Sequence, residues 1–540
     1  MISSGRFLFL LSLLFILKSG VAQDVVAPEI PKSIHLIEID QTGAAIKLLE
    51  QTIPANPANA SLYYYLGYAQ IKKGELDKAL SSFEKGIQVD PKEALNYAGK
   101  GHVQLLKNDP AGAKASLDQA LDISKSKNTT VLNAVAEAYL STKKNTNEAL
   151  QILGKAKQNS FETLILLGDA YLQQNNGGQA VSSYEKAAAV DPKRALPHYK
   201  IGNVYSRSKN VQASEEAYKK AIAIDPEYTL AYKELGEIYY FAKDGENAVK
   251  AQESYLKLTE NPDAGKLQYA FYLFMTKNYA KANEIFKQVI QLPDVPAVAY
   301  RYYALSLTEV GDHDQARVMF EKYFTLAKKE DIVASDYAAL GKAQLKAKQD
   351  SLAVESFNKS LALDSNQVEI LQMKGDALFK MKKYPPAIES FKKLMAKRKT
   401  PLPLDSYAIG RAYYFNNQIV EADSAFSDLV RLQPAGMTIG YLWKARTKSA
   451  EDPELKDALA KPYFEKLIEI ALTNPEKNKN DLVEAYKYMA AYFYNVKHDA
   501  ATTKSYYEKI LVIKPGDPDA TQNLDILNKQ EKAPKPAPKK

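Results

Sequence analysis

The sequence predicts an all-α fold, an α-solenoid of about fourteen stacked helix-turn-helix units. Three observations carry that expectation. A small residue recurs at a step of about 34 residues: Gly67, Gly101, Gly168, Gly202 and Gly236, then Ala270 and Ala304, then Gly341, Gly375 and Gly410 after small slips. A second small residue keeps the same step, at Ala79, Ala113, Ala149, Ala180, Ala248, Ala282, Ala316, Ala353, Ala387 and Ala422, with Ser214 filling one place. Four places after many of these stands an aromatic ring: Phe83, Tyr184, Tyr218, Phe286, Phe320, Phe357, Phe391 and Phe426. Third, Asp-Pro or a lone proline closes units at Pro91, Pro192, Pro226, Pro434 and Pro515.

Taken in chain order, residues 1–22 (MISSGRFLFLLSLLFILKSGVA) open with Arg6 and continue with an apolar run over 7–17. They end on small residues, the pattern of a secretory signal cleaved after Ala22. The run is short for a membrane span. Residues 23–59 form a degenerate first repeat, an N-terminal cap ending near Pro57. The regular array covers 60–262 and continues over 263–436, with weaker units near 128–160 and 263–296. Residues 437–525 hold divergent units, an insertion at KSAEDPELKDALAK and a capping helix. The tail 526–540 is rich in Lys and Pro and reads as disordered.

One unit shows why each residue is there. In the stretch Leu66–Pro91 the first helix runs over about 61–73 and the second over about 77–89. Gly74 opens the turn, and Asp77 is placed to cap the second helix. A glycine inside a helix costs about 1 kcal/mol against alanine. Gly67 therefore requires a packing reason, and the expected one is close contact with Ala79. Pro91 stops the second helix and redirects the chain.

A step of about 34 residues with these residue types resembles the tetratricopeptide repeat family over about 26–525. The resemblance implies a right-handed superhelix whose first helices line a concave surface. It also implies that residues one, five and eight places after the conserved aromatic face inward. On this sequence that gives Tyr64 and Tyr68; Tyr199 and Asn203; Tyr240; Phe271 and Phe274; and Tyr407, Arg411 and Tyr414 as candidate groove residues. An array of this kind implies a non-catalytic scaffold whose partner is an extended or helical protein segment. A glycan stacked on tyrosine faces is the alternative. The lysine–asparagine clamp that some family members use for chain ends is not matched here: Tyr64 and Tyr68 replace its first pair, and Glu234 follows Asn203.

Charge and composition exclude other classes. Net charge is +8, of which +2 lies in residues 1–22 and +4 in the last twelve residues, which leaves a body near neutrality at +2. A phosphate-gripping surface would need a basic stripe of its own. There is no cysteine, hence no lipid attachment as a lipoprotein and no disulfide. The five histidines, His35, His102, His198, His313 and His498, fall in different repeats without metal-ligand spacing. No phosphate loop or nucleophile elbow occurs, and no long stretch lies outside the repeats to hold a catalytic domain. The expectation is an exported, periplasmic or secreted scaffold that uses no cofactor, metal or nucleic acid. Its lysine-rich tail is a candidate for a weak envelope tether. The single tryptophan, Trp443, reads as a filler between repeats.

Overall fold

A computed structural model describes residues 27–532; the signal-like start and the last eight residues of the tail lie outside that range. Among the described residues the regular elements are twenty-nine α-helices and two short 3-10 turns. The helices pair in order, and the chain divides into two compact units between Leu292 and Pro293.

In the first unit the pairs begin with Glu29–Glu38 and Thr42–Thr52, Ala60–Lys73 and Leu76–Val89, Ala94–Leu106 and Pro110–Ile123, and Thr129–Leu140 and Thr146–Leu153. Phe161–Gln173 and Gly177–Val190, Leu196–Arg207 and Val211–Ile224, Thr229–Phe241 and Gly245–Leu258, and Asp263–Met275 and Tyr279–Val289 complete it. The second unit pairs Ala297–Glu309 with His313–Leu326, Ala334–Lys346 with Asp350–Leu363, and Val368–Lys380 with Tyr384–Lys397. It continues with Pro403–Phe415 and Ile419–Leu432, Ile439–Glu451 and Lys461–Ala471, and Lys479–Asn495 and Ala500–Ile513. A single helix, Pro518–Lys532, follows, so residues 526–532, expected in the disordered tail, continue the capping helix, with Leu527 buried. This is an α-solenoid of fourteen helix pairs, as the repeat predicts.

The packing corrects one expectation. Gly67 does not answer Ala79; it lies under the ring of Phe83, where a Cβ on the glycine would sit 2.6 Å from Cε1 and Cζ. The same relation, sixteen residues apart, joins Gly168 to Tyr184, Gly202 to Tyr218, Gly341 to Phe357, Gly375 to Phe391 and Gly410 to Phe426, with closest approaches of 2.3 to 2.6 Å. Gly99, on the next first helix, also meets the Phe83 ring, at 2.3 Å. That ring is thus wedged between two successive first helices. Leu117 takes the ring's place opposite Gly101. Ala79, Ala113, Ala180, Ala282 and Ala316 are fully buried, as are Phe286 and Phe320.

Turn chemistry corrects a second. Gly74 closes its helix in the left-handed region, φ +84°, a conformation that costs other residues energy. The following N-cap is Glu75, which makes no side-chain cap bond, and Asp77 lies inside the first turn. Elsewhere Asp109, Asn176, Asn210, Asp244 and Asp312 hold the cap position, each accepting from the backbone N–H three places on. Each such bond contributes about 1 kcal/mol. Pro91 stands exposed in the turn that follows Val89. The insertion forms a loop around buried Asp452, whose carboxylate accepts from the N–H groups of Lys456, Asp457 and Leu459.

The first unit also closes on itself. Ile39, 1% exposed, packs with Leu36 against Ala195, Tyr199, Tyr228 and Leu235. Glu38 pairs with Arg194. Glu260 accepts from the N–H groups of Gly43 (2.8 Å) and Ala44 (2.6 Å). It thereby caps a helix whose own N-cap, Gln41, makes no side-chain bond. The first pair is in this way clasped to the turns around pairs five to eight.

Two glycine substitutions distinguish wedge from ordinary packing. Gly202→Ala puts a Cβ 2.4 Å from the Tyr218 ring and is expected to cost about 1–3 kcal/mol. Gly236→Ala meets Tyr272 at 3.3 Å, Gln252 at 3.4 Å and the Ala248 carbonyl at 3.7 Å, and the helix propensity gained, about 1 kcal/mol, offsets much of that crowding. The urea denaturation midpoint should therefore fall much further for Gly202→Ala than for Gly236→Ala; equal shifts would refute the wedge.

Candidate functional site

The repeat aligns one residue per first helix directly after its small residue. In the first unit these are Tyr68, His102, Glu137, Asp169, Asn203, Glu237 and Phe271. In the second they include Lys342, Asp376, Arg411 and Arg446. Three of these positions, Tyr68, His102 and Glu137, come together. The Tyr68 hydroxyl and the Lys72 ammonium both donate to Glu137 Oε1 at 2.8 Å, two helix pairs further on. His102, buried, lies on the first helix between them. Side chains two repeats apart meet in this way along the first helices.

Burial works against the charge on Glu137, but Lys72, with His102 and Tyr68, overrides it and holds the carboxyl down at about 2. Burial pushes the His102 imidazole down to about 4, against the pull of Glu137. Burial, reinforced by Glu137, raises the Tyr68 hydroxyl. This network is structural in geometry. Sequence reading missed His102 and Glu137 as members, although their register after Gly101 and Ala136 was the available signal.

The remaining predicted groove residues divide between the units. Tyr64 is 8% exposed, its ring 5.9 Å from Phe83 and stacked 6.3 Å from Tyr68. Tyr199 lies against Tyr218 and Tyr228, within the cluster that the first pair completes. Asn203 accepts from the Tyr218 hydroxyl at 2.6 Å. These four residues are engaged by the chain itself. Tyr240, Phe271 and Phe274 are half-buried, packed on Tyr272, Phe286 and Tyr279 respectively. Phe241, beside Tyr240, is 75% exposed.

In the second unit Tyr407 and Tyr414 set their rings edge-on to Trp443, at 6.1 and 5.6 Å. Trp443 is buried and stacks on Phe426 at 5.3 Å, the filler role expected of it. The Arg411 guanidinium lies 4.5 Å from the Phe379 ring centre and 5.1 Å from that of Tyr407. Phe379, Tyr384 and Phe415 extend the cluster beyond what the repeat register named. A separate cleft of about 450 Å³ lies over the first helices Ala297–Glu309, Ala334–Lys346 and Val368–Lys380, lined by Leu305, Thr308, Ala338 and Lys342 among others.

Among the described residues, no three His, Asp or Glu side chains converge to hold a metal ion, and no helix is long and apolar enough to cross a membrane.

The first network fixes an acid response. His102 is held neutral in the fold but takes a proton near pH 6.5 when unfolded, so its contribution is lost as pH falls from about 6.5 to about 4. Glu137 is depressed, so its contribution is present above about 4.5 and is lost as pH falls toward about 2. His102→Gln is expected to flatten melting temperature against pH in the upper window and Glu137→Gln in the lower. Unchanged profiles in both would remove the network from the account.

Comparison with known proteins finds matches to parts of the array. Tetratricopeptide repeat profiles match residues 60–93 and 197–228, and a TPR repeat profile matches 168–209. The C-terminal part of a TPR repeat-containing protein from Cytophaga hutchinsonii is 33% identical, over 48% of this chain and 99% of that one, with a TM-score of 0.42. Yeast Tom70 matches at 12% identity over 72% and 95% of the two chains (TM-score 0.27). MamA from Desulfovibrio magneticus matches at 19% over 31% and 94% (TM-score 0.29). A comparison with curated proteins returns no match. On the repeat profiles and the identity with the Cytophaga protein, the chain belongs to the tetratricopeptide repeat family.

Proposed function

We propose that this chain is an exported scaffold that holds a partner protein, as an extended or helical segment, along the first-helix face of its repeats. Tetratricopeptide repeats support a protein-interaction role in general. The observation that carries the finer reading is the set of rings the fold leaves accessible on or beside that face. Tyr240, Phe271 and Phe274 are half-buried next to exposed Phe241; Tyr407 and Tyr414 are half-buried next to Phe415, 47% exposed. Aromatic residues that expose part of their ring area are the usual anchors of protein contacts. Because Tyr64 is buried and the polar groups of Tyr68 and Asn203 are bonded to Glu137 and Tyr218, the binding surface is narrower than the repeat register alone suggests. The basic-then-apolar start supports export, and the near-neutral body supports a partner other than nucleic acid.

A photo-cross-linking residue at Tyr407 or Tyr240 is expected to trap one discrete protein in cells. The same residue at exposed Lys186, on a second helix, is expected to trap none. Equal trapping at all three positions, or none at any, would overturn the reading, and fractionation of the trapped complex tests its place in the cell envelope.

A further inference from the structure

We propose that the wall around Arg411 binds a single internal acidic residue, Asp or Glu, carried beside an aromatic residue in the partner segment. The inference rests on the groove reading above and names the chemistry of what that face takes in the second unit.

Among the described residues Arg411 differs from every other partly buried arginine; Arg207, which also lacks a carboxylate within 4.0 Å, is exposed. Among the described residues Arg194, Arg301, Arg317, Arg398, Arg431 and Arg446 each have a carboxylate oxygen within 4.0 Å. Arg446, one repeat further along the same register, is held by Glu484 through two bonds of 2.7 Å. Arg411 has no such partner. Its guanidinium is instead set among the rings of Phe379 (4.5 Å), Tyr407 (5.1 Å) and Trp443 (5.8 Å). Its Nε is buried and makes no hydrogen bond.

Ring faces stabilise a cation but leave its in-plane N–H groups unsatisfied. A guanidinium without an anion keeps its capacity for charge-assisted bonds, and a carboxylate arriving at its solvent-facing in-plane edge uses that capacity. The site is thus incomplete in the way that an acidic side chain completes. Beside it Phe415, exposed, stacks on Tyr384 at 5.9 Å and meets Phe379 edge-on at 5.7 Å. That ring platform adjoins the cation and suits an aromatic neighbour of the acid.

Charge sets the number of acids. Asp376 occupies the same register position one repeat earlier, and the two groups feel each other across a gap longer than an ion pair. One guanidinium offsets at most one added negative charge, and the nearby Asp376 reduces even that, so the two charges of an acidic residue at a chain terminus are disfavoured. The occupant is therefore an internal segment.

The test uses the full chain and a phage-displayed library of random peptides, with internal segments and free C-termini presented separately. The wild-type chain is expected to enrich internal segments that place Asp or Glu within two residues of Phe, Tyr or Trp. A capped peptide from that set should lose about tenfold in affinity when its acid is replaced by the amide, the scale of one charge-assisted contact. Arg411→Gln should abolish that ratio while keeping the aromatic preference, and Arg411→Lys should restore part of it. Phe415→Ala, at an exposed site, should do the reverse: keep the acid and lose the ring. Asp376→Asn should tighten binding of the acidic peptide. Enrichment of aromatic segments without acids, or an acid–amide ratio unmoved by Arg411→Gln, overturns this inference and leaves the groove reading standing. A requirement for a free C-terminus also overturns it. Recovery of no peptide at all overturns it as well, and the cross-link from Tyr407 then decides the groove reading separately.

Discussion

The structure depends on one contact: an aromatic ring of the second helix seated against a glycine sixteen residues earlier, on the first helix of the same pair. Phe83 shows the full form, since it is also pressed by Gly99 of the next first helix. Neither helix pair then has a complete core without its neighbour, which is why such units are stable only as an array. The glycines spend helix propensity, about 1 kcal/mol each, and recover it through burial of a whole ring, about 1.5–3 kcal/mol by area. Where Gln252 takes the ring position, the space around Gly236 is looser, and the constraint on that glycine relaxes with it.

The same close approach orders the side chains one place after each glycine. They become a ladder along successive first helices, and what the ladder holds depends on local charge. Near the start it is self-satisfied: Glu137 gathers Tyr68 and Lys72 and keeps His102 neutral. Asp169 likewise accepts from Lys200 at 2.8 Å and from the Tyr184 hydroxyl at 2.7 Å. In the second unit the ladder carries basic side chains at Lys342, Arg411 and Arg446. Lys342 is paired with Glu369 and Arg446 with Glu484, whereas Arg411 meets rings. A repeat thus supplies equivalent positions, and their neighbours decide which become structure and which stay available.

The fold was legible because periodicity is a one-dimensional signal: Gly, Ala, ring and proline at a constant step specify stacked helix pairs before any coordinate is known. The partner of Gly67 was not legible. Ala79 and Phe83 both recur at the same step, and only the helix crossing decides between them. Asp77 misled for a related reason, since helix starts shift by one or two residues without changing the period. The candidate surface was half legible. Register told which way Tyr64, Tyr68 and Tyr199 point, but not that Glu137, two repeats away, or Ile39, at the far end of the unit, would meet them. Phe415 was legible as a neighbour of the groove positions, but Phe379 and Tyr384 escaped because aromatic clusters arise from rings on three helices with no shared spacing.

The clasp of the first pair had no sequence signal at all, because it joins residues 156 to 217 positions apart. Its logic is clear in retrospect. The helix Thr42–Thr52 begins without a side-chain cap, and its first N–H groups would be orphaned. Glu260, from the turn after the seventh pair, supplies the missing acceptor, and its negative charge suits the positive end of that helix. Ile39, on the turn, reaches the core that Tyr199 and Tyr228 leave open. A degenerate first repeat is therefore more than a polar cap. It ties the start of the first unit to its later pairs. Opening this unit would have to break the Glu38–Arg194 pair and expose Ile39, so the first pair holds the unit closed as well as capping it.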